Sequence, residues 1–325
     1  MPRTFALPAL ALLAIAIAAF AVALSVGSVP IDLPGVARAL FAPADETQRT
    51  IVRELRLPRA VAAFATGGCL ALAGALLQVL LRNALADPYV LGVSGGAAVG
   101  ALAMMLAGAM GWLISAGAFA GALASTLLVF ALARGTGPWS PIRMLLTGVV
   151  IAAGWGAVVA LVLSIAPEAQ LRGMLFWLIG DLSAPLFAGS TLAVLALTLL
   201  VALAFARDLN ALARGETVAA ALGVDVVRLP WLLFTLSSLL TAVAVTTAGA
   251  IGFVGLIVPH AVRLVLGNDQ RLLLPAATLA GGALLTFADT LARRVVAPTE
   301  LPAGVVTAII GVPVFVYLLR RSAAR

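Results

Sequence analysis

The chain has 325 residues, 63% of them hydrophobic and 10% charged, with a mean hydropathy of +1.17 and a formal net charge of +7. Charge-free runs long enough to cross a bilayer occupy most of it, which excludes an ordinary soluble domain. A single cysteine, Cys69, and a single histidine, His260, exclude an internal disulfide and any Cys/His metal cluster, so no metal site is expected.

In chain order the charge-free runs are 4–31, 60–81, 88–133, 144–167, 182–206, 229–259, 272–288 and 301–319. A membrane helix needs about 20 apolar residues at a rise of about 1.5 Å each. The first run follows Arg3. Its apolar stretch Phe5–Gly27 exceeds the roughly 7–15 residues of a signal-peptide core, so it reads as a retained helix. Run 88–133, with 46 residues, must hold two helices with a turn near Ala109–Gly111. Run 229–259 holds one helix and then a short broken one through Gly252, Gly255 and Pro259. The expectation is an all-α polytopic membrane protein of nine or ten helices forming one domain over 1–325. Continuous apolar runs are not the weak alternating segments of a membrane β-barrel.

Every basic residue is arginine, and the chain has no lysine. The basic excess reads as loop arginine in a membrane protein rather than a nucleic-acid surface. With the N-terminus in the cytoplasm and ten spans, twelve arginines fall inside (Arg3, Arg82, Arg134, Arg143, Arg207, Arg214, Arg228, Arg263, Arg271, Arg320, Arg321, Arg325) and eight outside. Trp112 and Trp177 then fall at the outer interface and Trp139 and Trp231 at the inner one, with Trp155 mid-span as packing. Five outside arginines crowd into residues 29–59: Arg38, Arg49, Arg53, Arg56 and Arg59. They form either a docking surface for an acidic partner or a loop offset by Asp32, Asp45, Glu46 and Glu54.

Gly92, Gly96 and Gly100 recur every fourth residue, and Gly117 and Gly121 repeat the spacing on the next helix. Such ridges let helix backbones approach closely. In 249–264, Gly249, Gly252, Gly255 and Pro259 break the helix, and irregular backbone at membrane depth must be covered by protein or line a cavity. His260, beside Pro259, reads as a structural hydrogen-bonder. Asp289 precedes Arg293 by four residues, which makes a structural ion pair of an otherwise conspicuous intramembrane acid.

Residues 207–228, RDLNALARGETVAAALGVDVVR, carry six charges. Residues 208–213 read as a short helix with Leu209, Leu212 and Ala213 on one face. Gly215 breaks it, Glu216 opens a second helix at its positive end, and Gly223 closes that one. The result is either a solvated loop or a two-helix knuckle able to insert an apolar face into a partner's groove.

Residues 53–101, RELRLPRAVAAFATGGCLALAGALLQVLLRNALADPYVLGVSGGAAVGA, resemble a signature of the FecCD/BtuC-type permeases. These are the membrane subunits of ABC importers for iron chelates, haem and cobalamin. GFVGLIVPHAVRL (252–264) and FADTLARRVVAPTELPAGVVTAIIGVPVFVYLL (287–319) resemble a second signature, and the likeness runs over nearly the whole chain. Two departures are Phe287 at the first position of the last motif and Ala84, where the family often has proline.

The resemblance implies a type II ABC importer permease fold of about ten transmembrane helices per subunit. It implies a homodimer in the bacterial inner membrane, both termini cytoplasmic, with two separate ATP-binding cassette subunits and a periplasmic substrate-binding protein. It assigns ATPase coupling to Leu209, Leu212, Arg214, Gly215, Glu216 and Gly223, and binding-protein docking to Arg56, Arg59 and Arg293. The substrate path would run along the subunit interface, lined by 143–166, 168–186 and the tenth helix. No cofactor is expected on this chain; ATP and magnesium belong to the partner. A Walker A loop requires a lysine, which this sequence lacks. An ion-coupled secondary transporter is the rival reading. It would need ionisable groups deep in the membrane, and only Asp289 and His260 come near. A membrane-embedded enzyme would need a nucleophile–base or metal constellation, which one histidine and one cysteine do not supply.

Overall fold

The structure is a computed structural model that describes residues 6–42, 45–134, 141–183, 185–296 and 299–323. Arg3, Trp139, Arg325 and the side chains of Arg134 and Arg321 lie outside the described residues. Among the described residues the chain is helical without strands. α1 (Ala6–Ser25) is followed by short α2 (Leu33–Phe41) and α3 (Glu46–Thr50), then α4 (Leu57–Leu80), α5 (Val93–Leu106), α6 (Trp112–Arg134), α7 (Pro141–Ile165) and α8 (Glu168–Ile179). α9 (Ala188–Ala204) bends by 65° into α10 (Ala206–Leu212), which leads to α11 (Glu216–Ala221). α12 (Arg228–Ala248), α13 (Val254–Leu266), α14 (Gln270–Ala292) and α15 (Ala303–Ala323) complete the chain.

Among the described residues six helical rods are long and apolar enough to cross a bilayer: α1, the rod ending in α4, α6, α7, α12 and α14. α9 and the shorter apolar helices α5, α13 and α15 accompany them, in keeping with the about ten crossings read from the sequence. The 46-residue run divides as expected, with α5 and α6 joined through a turn containing Gly108 and Gly111, both at positive φ.

α4 is the hub. Its own alanine, glycine and leucine residues cover every face, so little of it needs water, and a helix apolar on all sides belongs inside. It packs against α9, α12, α13 and α14. A Cβ on Gly74 would collide with the Gly255 carbonyl, and one on Gly67 with the Gly281 carbonyl. These close approaches set the spacing of α4 to α13 and α14. α1 lies on α14, where Ala16 and Ala19 meet Ala283 beside the Phe20–Phe64 ring pair.

α5 and α13, with 14 and 13 residues, span only about 20 Å, less than the roughly 30 Å of a hydrocarbon core. Irregular segments complete both. Residues 249–253 precede α13, and the single 3₁₀ turn Pro88–Leu91 precedes α5. The two meet: Tyr89 Oη donates to the Ile251 carbonyl (2.9 Å) and accepts from the Ile251 N–H (2.8 Å). Asp181 N–H donates to the Ala248 carbonyl at 2.8 Å. Backbone freed by the glycines is thus satisfied by protein, as apolar surroundings require.

The glycine ridge divides its roles. A Cβ on Gly100 would enter the Gly117 carbonyl, and one on Gly96 the Gly121 carbonyl, so α5 and α6 touch backbone to backbone. Gly92 sits at φ 73 and caps α5 instead of belonging to it, and its carbonyl accepts from Ser125 Oγ at 2.8 Å. Ser125 Oγ in turn accepts from Trp155 Nε1 at 2.9 Å, which packs that mid-span tryptophan between helices.

Candidate functional site

The inner knuckle is two short helices, α10 and α11, joined at Gly215 (φ 118). Gly223 (φ 83) ends α11, with Val224 N–H returning to the Ala219 carbonyl at 3.0 Å in a Schellman-type closure. The sequence expectation that Leu209 and Leu212 offer an apolar face to a partner is corrected. They are 0% and 2% exposed and pack inward, where α10 rests on α4, α9 and α14. The reason is physical: a seven-residue helix has too few internal hydrogen bonds to persist alone, so it folds its apolar side onto the membrane helices.

The outward surface belongs to α11. Val218 and Leu222 are 42% and 66% exposed, with Ala221 exposed beside them. This apolar face was missed in the sequence, although Val218, Ala221 and Leu222 stand at i, i+3 and i+4. Arg214 is exposed. Glu216, at the N-terminus of α11, pairs with Arg82 at 3.2 Å. Arg82 itself holds φ 49, a left-handed conformation uncommon for a side-chain-bearing residue.

A second link was also missed. Asn210 Nδ2 donates to Asp269 Oδ1 (2.8 Å), while Asn210 Oδ1 accepts from the Gln270 N–H (2.9 Å). α10 is thereby fastened to the N-terminus of α14. The Asn210 hydrogen bond, assisted by the Arg271 N–H and charge, holds the Asp269 carboxyl below its ordinary range. At the start of α12, the Arg228 and Val227 N–H groups do the same for Asp225, which accepts both. In the 82–87 loop, where Ala84 replaces a frequent proline, Asn83 Oδ1 accepts from the Leu85 N–H at 2.9 Å and supplies the turn.

On the opposite face, the arginines are not a free cluster. Arg56, Arg59 and Arg293, to which the resemblance assigns binding-protein docking, are 6%, 12% and 10% exposed and are engaged within the chain. Arg56 donates to the carbonyls of Leu24 (2.7 Å), Ser25 (3.1 Å) and Val29, closing the C-terminal end of α1. Arg53 does the same for α2 through the carbonyls of Ala39 (2.8 Å) and Leu40. Both lie on the π-helical stretch Ile51–Arg56 that leads into α4. Helix C-termini present unpaired carbonyls and partial negative charge, which guanidinium groups satisfy. The loop acids also work locally. Asp32 accepts from the Gly35 N–H and Asp45 from the Gln48 N–H, capping α2 and α3.

Asp289 is buried among cations. Arg59 grips it through Nε (3.1 Å to each carboxylate oxygen) and Nη2 (2.9 Å), and Arg293 Nε lies 3.3 Å away. The sequence anticipated Arg293 but not Arg59, which is 230 positions distant. Arg59 Nη1 reaches the half-exposed Glu300 at 2.8 Å. A cavity of about 620 Å³ opens beside this network, lined by Arg56, Arg59, Arg293, Arg294, Glu54 and Glu300. His260 is buried within α13. Among the described residues no group of three His, Cys, Asp or Glu could hold a metal ion.

The model of the FecCD transport family matches residues 13–321. The chain belongs to the FecCD transport family. It is 43% identical over 335 residues to the cobalamin import system permease protein BtuC of Halobacterium salinarum, covering 99% of this chain and 90% of that protein. It is 41% identical over 280 residues to the hemin transport system permease protein HmuU of Yersinia pestis, covering 82% of each. A solved structure of a metal-chelate type ABC transporter in an inward-facing conformation superimposes with a TM-score of 0.85 at 28% identity, covering 97% of this chain and 99% of that one. This FecCD-family chain is accordingly a multi-pass membrane permease of the ABC importer class. The family carries with it an ATPase, a binding protein and a dimeric permease.

Proposed function

We propose that this chain is the permease subunit of an ATP-driven importer that moves a large metal chelate, a corrinoid, haem or siderophore complex, across the plasma (inner) membrane. It works as a homodimer with two copies of a separate ATPase and a periplasmic binding protein, and both termini lie on the ATPase side. The observation that carries this reading is the knuckle, with an exposed apolar face on α11 and polar links from α10 and α11 into the membrane helices.

ATP and magnesium bind to the partner, since this chain has no lysine for a Walker A loop. Closure of the ATPase pair displaces α11. The Arg82–Glu216 pair passes that displacement to the end of α4, and the Asn210–Asp269 link passes it to α14. α7 is exposed along its length through Leu146, Val149, Val150, Leu161 and Ile165, which fits a helix that meets the second copy and lines the path with α15. The arginine cavity at the other end receives acidic side chains of the binding protein, with Glu300 holding Arg59 until they arrive. The relatives are named for cobalamin and hemin, and both are large planar metal macrocycles. A path that hands on such a cargo needs few fixed ligands.

The test is reconstitution in liposomes with the cognate ATPase and binding protein. ATP hydrolysis is followed with cobalamin, haem or a ferric siderophore on the binding-protein side. One of the three should raise hydrolysis and accumulate inside. Uptake that proceeds without the ATPase and follows an imposed proton or sodium gradient contradicts the proposal.

A further inference from the structure

A cavity of about 560 Å³ lies behind the knuckle, between α10 and the ends of α4, α13 and α14. Its charged lining is Arg82, Arg214, Arg263 and Asp269. Three cations and one anion line it; Arg82 is shared with Glu216 at its rim, and the Asp269 carboxylate is already held by Asn210. Arg263 is half-buried in the last turn of α13, and its guanidinium makes no ion pair or hydrogen bond among the described residues. Gln78 and Gln270 also line the cavity, 2% and 1% exposed, and the Oε1 atom of each is buried without a hydrogen-bond partner. Buried polar atoms left unpaired cost free energy, so such a site is completed by a ligand or ordered water.

The chemistry is specific. Arginines offer paired N–H donors suited to phosphate oxygens. The two orphan amide oxygens call for hydroxyl donors. A cation is disfavoured by three guanidinium groups. The positive dipole end of α14 lies at the same wall, with its first N–H groups already held by Asn210 and Asp269. We infer that this cavity binds a phosphate-bearing anion with hydroxyl donors, supplied either as a free phosphate compound or as a phospholipid headgroup. Basic pockets between membrane helices at the cytoplasmic surface suit both sources.

An acidic side chain of a protein partner fits less well. The amide oxygens of Gln78 and Gln270 are buried within the wall, and the exposed apolar surface for a partner is on α11. An anion in this place joins Arg214 of the knuckle to Arg82 and Arg263 of the membrane body, and it stiffens the connection already made by Asn210 and Asp269. That regulatory consequence rests on the coupling role proposed above; the binding site does not.

The test uses the full chain without the ATPase, so its failure and the failure of the coupling reading are separable. Delipidated protein in detergent is titrated with inorganic phosphate against chloride at equal ionic strength. In parallel it is placed in phosphatidylcholine nanodiscs with and without phosphatidylglycerol. The expected result is a rise in the unfolding midpoint of about 3 °C and slowed hydrogen exchange over 206–223. Both effects should be absent in Arg263→Gln and retained in Arg271→Gln, a neighbouring arginine that does not line the cavity. A response to phosphate assigns a soluble ligand, and a response to phosphatidylglycerol alone assigns the lipid headgroup. No response in either arm, or an equal response in Arg263→Gln, overturns the proposal. If Arg263→Gln does not fold, Arg82→Gln, at the exposed rim, replaces it with the same expectation. Protection that appears only when the ATPase is added assigns the cavity to a protein partner and also overturns it.

Discussion

At Asp289 a carboxylate sits 2% exposed at the end of a membrane helix, a placement that is costly unless it is paired. Arg59 and Arg293 supply the pairing. Removing the acid leaves two buried guanidinium groups facing each other. Asp289→Ala is therefore expected to cost about 3–5 kcal/mol, read as a large drop in the thermal midpoint of the detergent-solubilised protein. Arg56→Ala uncaps α1 and is expected to cost roughly 2 kcal/mol or more, since charged hydrogen bonds to carbonyls are lost. Sequence spacing revealed Asp289 with Arg293 because they share one helix face. It could not reveal Arg59, or the carbonyl partners of Arg53 and Arg56, because those meetings depend on how helices pack. An arginine in a loop motif looks the same whether it waits for a partner or closes a neighbouring helix. Asp269 gives a pH prediction. Its carboxyl is held below the ordinary value, so its contribution is complete above about pH 4 and is lost only as pH falls further, through the lowered value in the folded chain. Hydrogen exchange over 206–212 should be flat between pH 5 and 8 after correction for intrinsic rates. Asp269→Asn should raise it at neutral pH by weakening the link to Asn210.

At the scale of elements, the apolar runs and their glycine punctuation predicted most helices. The ends of α5, α6, α12 and α13 follow charge and glycine positions visible in the sequence. The interlock of α5 with α6 should be sensitive to a single methyl group. Gly100→Ala and Gly74→Ala force Cβ atoms into backbone carbonyls and should each cost about 1–3 kcal/mol. Gly173→Ala meets nothing within 4 Å inside α8 and should be neutral or stabilising by up to about 1 kcal/mol. The knuckle shows where pattern reading fails. Leu209 and Leu212 do form the apolar face of α10, as their spacing indicates. A face pattern does not say which partner covers it, and here the chain's own membrane helices do. The outward face is on α11, whose alanine-rich sequence gives a weaker apolar signal. Leu209→Asp should therefore impair folding of the chain, whereas Leu222→Asp should leave its thermal midpoint nearly unchanged.

For the whole molecule, the multi-pass helical body was legible because bilayer thickness imposes a length on every apolar run. The meeting of two irregular segments at Tyr89 and Ile251 was not, because broken helices reveal a need for partners without naming them. The arrangement explains how a short helix at one surface bears on the interior. α11 is tied to the end of α4 and α10 to the start of α14, and α4 touches α1, α9, α12, α13 and α14. On the coupling role proposed above, the ATPase bears on the exposed face of α11. The decisive measurement is co-purification of the permease with its cognate ATPase, comparing wild type with the Val218→Asp, Leu222→Asp double variant at matched folding. Wild type should retain the ATPase, and the variant should lose it by at least tenfold while keeping its own thermal midpoint. A folded variant that keeps the ATPase and its coupled hydrolysis contradicts the assignment of this face.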